Sequence, residues 1–382
     1  MSRTYQRNDT MIKVTLTNEI LKKISSIDEN RFSLRTIKIP PIAKNRLRKN
    51  SKKRSSYASN KIEGNPLTEA QANDAIERDS HKHFLKPEQE VRNYYLALNL
   101  LEEKLKKKEP FSKELILKVQ AMVEKGASKE KIGLRGVMPP GVLFAVYDSE
   151  TGTPEYIPPE YSDIPVLLDE LVEYVNTTDD HPLIVAAVVH YQLVTIHPFE
   201  DGNGRTARLM SGYILDLNGY GFNGIGSLEE YFAYDPDEYY SSLQMGLPAL
   251  YYSGRENPPH PEIWINYFLR MMELYSKKAC ELSLSSATDE VDSALSHLNS
   301  KEKEFLFLLL QNHISEFKPV DLSKPMGVTN KTVINRCAKL SNNGFLIPSI
   351  VKERIVSYSL SEFAQSNDKI IKSKLKERLN NS

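Results

Sequence analysis

Twelve consecutive residues, His197-Pro198-Phe199-Glu200-Asp201-Gly202-Asn203-Gly204-Arg205-Thr206-Ala207-Arg208, narrow what this chain can fold into. An apolar run, Leu183 to Ile196, precedes them, and a helix-compatible segment, Thr206 to Leu217, follows. The stretch reads as helix, tight polar loop, helix. Gly202 and Gly204 permit positive φ and close backbone approach, so consecutive N–H groups can form an anion-binding concavity. A helix starting near Gly204 offers its free N–H groups and its dipole to a phosphate. Arg205 and Arg208 are three apart, share a helix face and can reach one anionic ligand. Asp201 is a hard oxygen ligand suited to Mg²⁺, which binds through few carboxylates plus substrate phosphates. His197 is the loop group whose ordinary pKa suits base work near neutral pH. A base, a metal ligand and a phosphate cradle together point to attack of a hydroxyl on a nucleoside triphosphate.

The same string matches the Fic family motif, His-Pro-Phe-x-Asp-Gly-Asn-Gly-Arg-x-x-Arg, at every specified position. The chain resembles Fic-domain proteins, most of which transfer AMP from ATP to a hydroxyl side chain of a target protein. The resemblance implies that His197 deprotonates the incoming hydroxyl and that Asp201 binds Mg²⁺ between the α- and β-phosphates. It implies that Asn203 and the backbone at Gly202 and Gly204 hold phosphate oxygens, that Arg205 contacts the phosphate chain and that Arg208 pairs with the γ-phosphate. Phe199 looks like a buried anchor, Pro198 pins φ after the base, and Glu200 has no assigned role. A sister group, resembling the Doc kinase toxins, carries Ala and Lys where this chain keeps Gly202 and Gly204, so the loop favours AMP transfer over phosphate transfer.

Upstream, Ser59-Asn60-Lys61-Ile62-Glu63-Gly64-Asn65 fits the family's inhibitory pattern, Ser/Thr-x-x-x-Glu-Gly/Asn. Ser59 and Glu63 are four apart and are expected on one helix face, which Gly64-Asn65-Pro66 then ends. By the resemblance, Glu63 pairs with Arg208 and blocks the γ-phosphate; some relatives with this arrangement also remove AMP. Val142 to Tyr147 is a short β-rich run, Asp148 to Pro154 is rich in turn formers, and Glu155-Tyr156-Ile157 can return as a partner strand. The segment resembles the family's hairpin flap, which holds the target by strand addition. Tyr239-Tyr240-Ser241-Ser242-Leu243 resembles a Tyr-Tyr-x-x-Leu segment that lines the nucleotide's base pocket, although helical aromatics often serve simply as core.

With 50 basic and 50 acidic residues, global charge argues for neither nucleic acid nor membrane. Cys280 and Cys337 describe no disulfide framework or zinc site. Met1 to Thr10 lacks a signal-peptide core, and the apolar stretch around Leu183 to Val189 is far too short to span a bilayer. A cytoplasmic protein with no membrane association is expected.

Amphipathic patterns cover Glu88 to Leu105, Ser112 to Lys125 and Pro165 to Val175; Thr68 to Arg78 and Pro261 to Leu284 also read as helices. The basic cluster Arg46 to Arg54 reads as a solvated face, and Ser283 to Asp289 as a soft boundary. After it come an apolar helix, Lys301 to Gln311, a short helix, Val320 to Met326, and a third, Thr329 to Leu340, closed by Gly344. Phe345 to Ile347 and Arg354 to Leu360 are candidate wing strands. This resembles a winged helix-turn-helix with Lys331, Arg336 and Lys339 as cationic residues of the recognition helix and Lys352 and Arg354 in the wing. Such modules bind DNA or serve protein contacts.

The expected fold is mainly α: a Fic-type helical bundle with a β-hairpin flap, followed by the winged helix-turn-helix. The expected division is an N-terminal region, 1–90, with the inhibitory helix at about 52–64; a catalytic core, 91–288, with the flap at about 134–158 and the motif at 197–208; the winged helix at 297–365; and a basic tail, 366–382, that packs or solvates. The expected activity is autoinhibited AMP transfer from MgATP to Ser, Thr or Tyr of a target protein docked on the flap, which includes the chain itself. A nucleotide-sensing DNA-binding regulator and AMP removal are the alternatives. Homodimers, common in the family, are a further expectation from the resemblance.

Overall fold

The computed structural model describes residues 11–39, 41–78, 83–127, 132–142, 144–147, 152–247, 258–351 and 354–380. The chain divides into two compact units, Met1–Arg31 with Arg46–Ala279, and Phe32–Asn45 with Cys280–Ser382.

The first unit is mainly helical. Its helices are α1 (Asn18–Thr36), α2 (Pro41–Ile62), α3 (Glu69–Glu77), α4 (Lys86–Lys106), α5 (Lys113–Val123), α6 (Ile164–Thr177), α7 (Pro182–Ile196), α8 (Asn203–Leu217), α9 (Glu229–Phe232), α10 (Pro236–Gln244) and α11 (Pro261–Ser296), of which α1, α2 and α11 also contribute residues to the second unit. Local chemistry accounts for several starts. Thr68 caps α3 in a reciprocal capping box with Gln71, and the Ser112 side chain accepts from Leu115 N at the head of α5. Pro165 and Pro182 sit in the first turns of α6 and α7, where a missing N–H costs nothing.

Helix α7 is apolar on all sides, as a helix surrounded by others must be. Leu183 to Leu193, Thr195 and Ile196 are all buried. It packs along α8, and Ser211 Oγ donates to Ala186 O across that contact at 2.8 Å. On another side Trp264 of α11 is fully buried and donates to Ala187 O at 2.8 Å. Each large apolar side chain removed from water here contributes about 1.5–3 kcal/mol. The helix ending at His197 is therefore the rigid axis from which the polar loop hangs.

Several boundaries differ from the sequence reading. Helix α8 starts at Asn203, one residue before the expected start near Gly204, and its first turn is closed by Thr206 N donating to Gly202 O at 2.9 Å. The segment expected to be inhibitory belongs to a longer helix, α2, which ends at Ile62; Glu63 and Gly64 form the turn after it, Gly64 at φ +77°. The basic cluster is not merely solvated. Arg48 and Lys52 pair with Glu102, Lys49 and Lys53 with Glu77, and Arg54 with Glu230, so it fastens α2 to its neighbours. The small-residue stretch Ser283 to Asp289 is helical, inside α11. The hairpin is shorter than the apolar run: β1 (Val146–Tyr147) pairs antiparallel with β2 (Pro154–Tyr156) across an irregular register. Leu143 and residues 148–151 of the expected hairpin lie outside the described residues.

In the second unit, α12 (Ser300–Gln311), β3 (Glu316–Phe317), α13 (Pro319–Ser323), α14 (Asn330–Asn342), β4 (Leu346–Val351), β5 (Arg354–Leu360), α15 (Glu362–Ser366) and α16 (Asp368–Asn380) follow in order. The strands form an antiparallel sheet in the order β3-β5-β4. Its core gathers Phe305, Leu309, Val333, Cys337, Phe345 and Tyr358. The basic tail packs against this core through Ile371 and Leu375, both fully buried. Among the described residues no helix is long and apolar enough to cross a membrane.

Candidate functional site

At the end of α7 the backbone of His197 turns left-handed, at φ +48° and ψ +56°. The imidazole Nδ1 lies 3.3 Å from Val194 O. A carbonyl can only accept, so this contact selects the tautomer protonated at Nδ1 and leaves Nε2 as the basic nitrogen. Burial pushes the imidazole pKa down to about 4; the Arg135 charge acts the same way, while the Val194 carbonyl, Glu63 and Asp201 act against it. His197 is therefore neutral at pH 7. Between pH 6.5 and 4 the unfolded chain binds a proton here that the folded chain does not, so this group makes stability fall as pH falls through that window. In an NMR titration the His197 ring is expected to stay neutral down to pH 5. A midpoint near 6.5 would show a solvated imidazole instead.

The loop after His197 is held from the flap side. Leu134 forms an antiparallel bridge with Phe199, and Arg135 N donates to Pro198 O at 2.9 Å. The buried Arg135 guanidinium donates to His197 O at 2.8 Å and also to Pro159 O, with the Phe144 ring 4.7 Å from its carbon. Phe199 is fully buried, the anchor its sequence position suggested. The Asn203 side chain is engaged within the loop. Its Oδ1 accepts from Phe199 N at 3.0 Å and its Nδ2 donates to Phe199 O at 2.8 Å, so the side chain clamps the loop shut.

Gly202 sits at φ +80°, and a Cβ there would lie 2.7 Å from Glu124 Oε1. Its N–H donates to Asp201 Oδ1 at 2.8 Å. The same oxygen accepts from Arg205 at 3.0 Å. Arg205 also lies 2.9 Å from Glu124 Oε1 and 4.0 Å from Glu90 Oε1, with its side chain buried. Helix α5 grips the loop a second time: Gln120 Nε2 donates to Asp201 O at 3.2 Å while its Oε1 accepts from Gly133 N at 3.0 Å. Arg205 thus braces the loop. Burial raises the Glu124 pKa to about 7 against the pull of Arg205.

Arg208, five residues into α8, is buried and fully engaged. Its Nε donates to Ser59 Oγ at 2.8 Å and one NH group to Ser59 O at 3.0 Å. That same NH2 lies 2.5 Å from Glu63 Oε1, and NH1 donates to Tyr239 OH at 3.3 Å. Glu63 crosses 145 residues of sequence to reach it. The glutamate carboxylate also lies over Gly204, where a Cβ would collide with it. It therefore occupies the N-terminal end of α8, where free N–H groups and the helix dipole attract negative charge.

The two tyrosines expected at a base pocket serve Arg208 and α2. Tyr239 is buried, its hydroxyl between Arg208 and His190 Nε2, 2.8 Å away. Since Arg208 can only donate, the tyrosine hydroxyl donates to His190. Tyr240 is half-exposed and donates to Ile62 O at 3.2 Å. Gly64 faces open space and acts by ending α2. Lys331 and Lys339 are exposed and Arg336 partly exposed on α14 of the second unit; Lys352 lies outside the described residues.

Sequence reasoning missed Gln120 and Glu124. Their only local signal is a spacing of four residues near the end of α5, with an acid where the helix dipole disfavours one. It noticed Arg135 only as the start of the flap.

Residues 110–215 match the model of the Fic/DOC family. The proteins named "Protein adenylyltransferase Fic" of Drosophila mojavensis and Drosophila grimshawi are similar to this chain. The first is 29% identical over 211 residues, 52% of this chain and 38% of the relative. The second is 24% identical over 310 residues, 78% of this chain and 56% of the relative. The chain thus spans about half the length of these curated relatives or less. The fold is similar to that of a Fic family protein from Desulfovibrio desulfuricans G20, with a TM-score of 0.57 at 20% identity, covering 91% of this chain and 98% of that one. Through the loop-bearing helices of residues 110–215, this chain carries a segment that matches the Fic/DOC family.

Proposed function

We propose that the chain is a protein adenylyltransferase held in an inhibited state by Glu63. The supporting observation is the position of the Glu63 carboxylate, on Arg208 and over the start of α8. Intact machinery for binding a polyphosphate lies under a carboxylate that mimics one.

Each residue has a task in the transfer. The acceptor hydroxyl of a target Ser, Thr or Tyr gives its proton to His197 Nε2, the nitrogen that the Val194 contact leaves basic. The hydroxyl oxygen bonds to the α-phosphorus, the bond from that phosphorus to the bridging oxygen breaks, and pyrophosphate leaves. Backbone N–H groups at the start of α8 and Arg208, once released from Glu63, stabilise the phosphate charge. Asp201 is partly exposed at the loop and fits Mg²⁺, which takes one or two carboxylates and completes its shell with phosphates and water. The ion would neutralise phosphate charge when bound.

Tyr156 of β2 donates to Thr195 O at 2.6 Å, just before the loop, a placement that suits a target segment added to the hairpin edge. Helices α12, α13 and α14 with the small sheet of the second unit suit a winged helix-turn-helix. In that reading α14, with Lys331, Arg336 and Lys339, is the face offered to DNA or a protein.

The test uses α-labelled ATP with Mg²⁺ and analysis of the by-product. Label on protein together with pyrophosphate supports AMP transfer. Formation of ADP would replace it with kinase chemistry, and release of AMP from a modified protein would favour the reverse reaction.

A further inference from the structure

We propose that Glu124 is a positioning residue for the metal–nucleotide complex, acting through Arg205 and Asp201. The inference rests on the reading of the loop as a nucleotide site. Glu124 is fully buried and sits at the C-cap of α5. Three things oppose a carboxylate there: loss of water, the negative end of the helix dipole, and the nearby acids Asp201 and Glu90. Its compensation within the site is Arg205, 2.9 Å from Oε1. Neither carboxylate oxygen makes a properly directed hydrogen bond. A buried pair of this kind is a weak source of net stability, because replacing both partners with packed apolar groups is often neutral or stabilising.

Its location gives the opposition a purpose. Arg205 is gripped on one side by Glu124 and on the other donates to Asp201 Oδ1. Gly202 passes so close over Glu124 that no Cβ fits between them. Four residues earlier on α5, Gln120 donates to the Asp201 carbonyl. The end of α5 therefore fixes both the backbone and the side chain of Asp201. Partners one shell removed from a metal ligand typically change metal affinity 10- to 100-fold when altered. Glu124 and Gln120 fill that place here, with Arg205 as the intermediary.

The experiment measures binding of α,β-methylene-ATP to the full chain carrying Glu63→Gly, with and without Mn²⁺. Glu124→Gln keeps the shape and removes the charge. About tenfold weaker binding in Mn²⁺ is expected, with less than about twofold change without metal. Equal Mn²⁺-dependent affinity in Glu124→Gln overturns the inference, as does equal weakening with and without metal, which a merely structural role would produce. Should Glu124→Gln fail to fold, Glu124→Asp keeps the charge but withdraws it from Arg205; the same metal-dependent loss is expected, and parent-like binding overturns the inference. If the Glu63→Gly parent itself binds no nucleotide, the nucleotide reading fails first, and this inference with it.

Discussion

Glu63→Gly is expected to raise AMP transfer by roughly 10- to 1000-fold, corresponding to about 1.4–4 kcal/mol of released competition. The carboxylate has two holds on the site. It is paired with Arg208, whose side chain is almost entirely out of water, and it lies over the N-terminal turn of α8. An incoming polyphosphate must displace both. Glycine removes the competing charge and leaves the Ser59 and Tyr239 contacts to aim the guanidinium. The same change uncovers a buried positive charge, so the variant without nucleotide should unfold more readily, by about 3–5 kcal/mol if Arg208 gains no new partner. ATP with Mg²⁺ should then raise its melting temperature more than it raises that of the wild type, because a ligand that binds only the folded state stabilises it by an amount that grows with the logarithm of its concentration over Kd. Equal labelling by the two proteins, with nucleotide bound to both, would remove Glu63 from the inhibitory role.

Placed in that released background, His197→Ala should lower transfer by about 10²–10⁴-fold, the usual contribution of a positioned base. Nucleotide affinity should change far less, since the phosphate-facing groups lie in α8. The backbone at His197 is left-handed, which burdens alanine as well as removing the base. His197→Asn separates the two effects, because asparagine tolerates this conformation and cannot act as the base. Both variants should lose activity together. Retained transfer in His197→Asn would mean that the histidine serves the turn and not the proton.

The loop was legible because its chemistry is local. Gly202 at positive φ, a helix beginning at Asn203 and a histidine ending the preceding helix are properties of neighbours in sequence, and they follow from glycine sterics and helix-end hydrogen bonding. The α7 core was legible for a related reason, since an unbroken apolar run longer than a strand must be a buried helix. What surrounds the loop was not. Arg135 reaches His197 O across 62 residues and Gln120 reaches Asp201 O across 81, and neither residue type at its own position betrays such a partner. Asn203 shows the limit of motif reasoning. Its amide has enough donors and acceptors to hold either a phosphate or a peptide unit, and only the fold decides that it clasps Phe199. The basic cluster of α2 failed for the same cause: its acidic partners come from α3, α4 and α9.

Arg208 carries one further consequence, which is genetic. Under the proposed inhibition a single guanidinium would serve both the restraint and the polyphosphate, so the two could not be separated by changing it. A screen for hyperactive alleles should therefore be lopsided. Gains should accumulate at Glu63 and at Tyr240, whose hydroxyl ties down the end of α2, while Arg208 yields only losses. A lineage could shed the restraint in one step from the α2 side, yet could never do so from the α8 side and remain active.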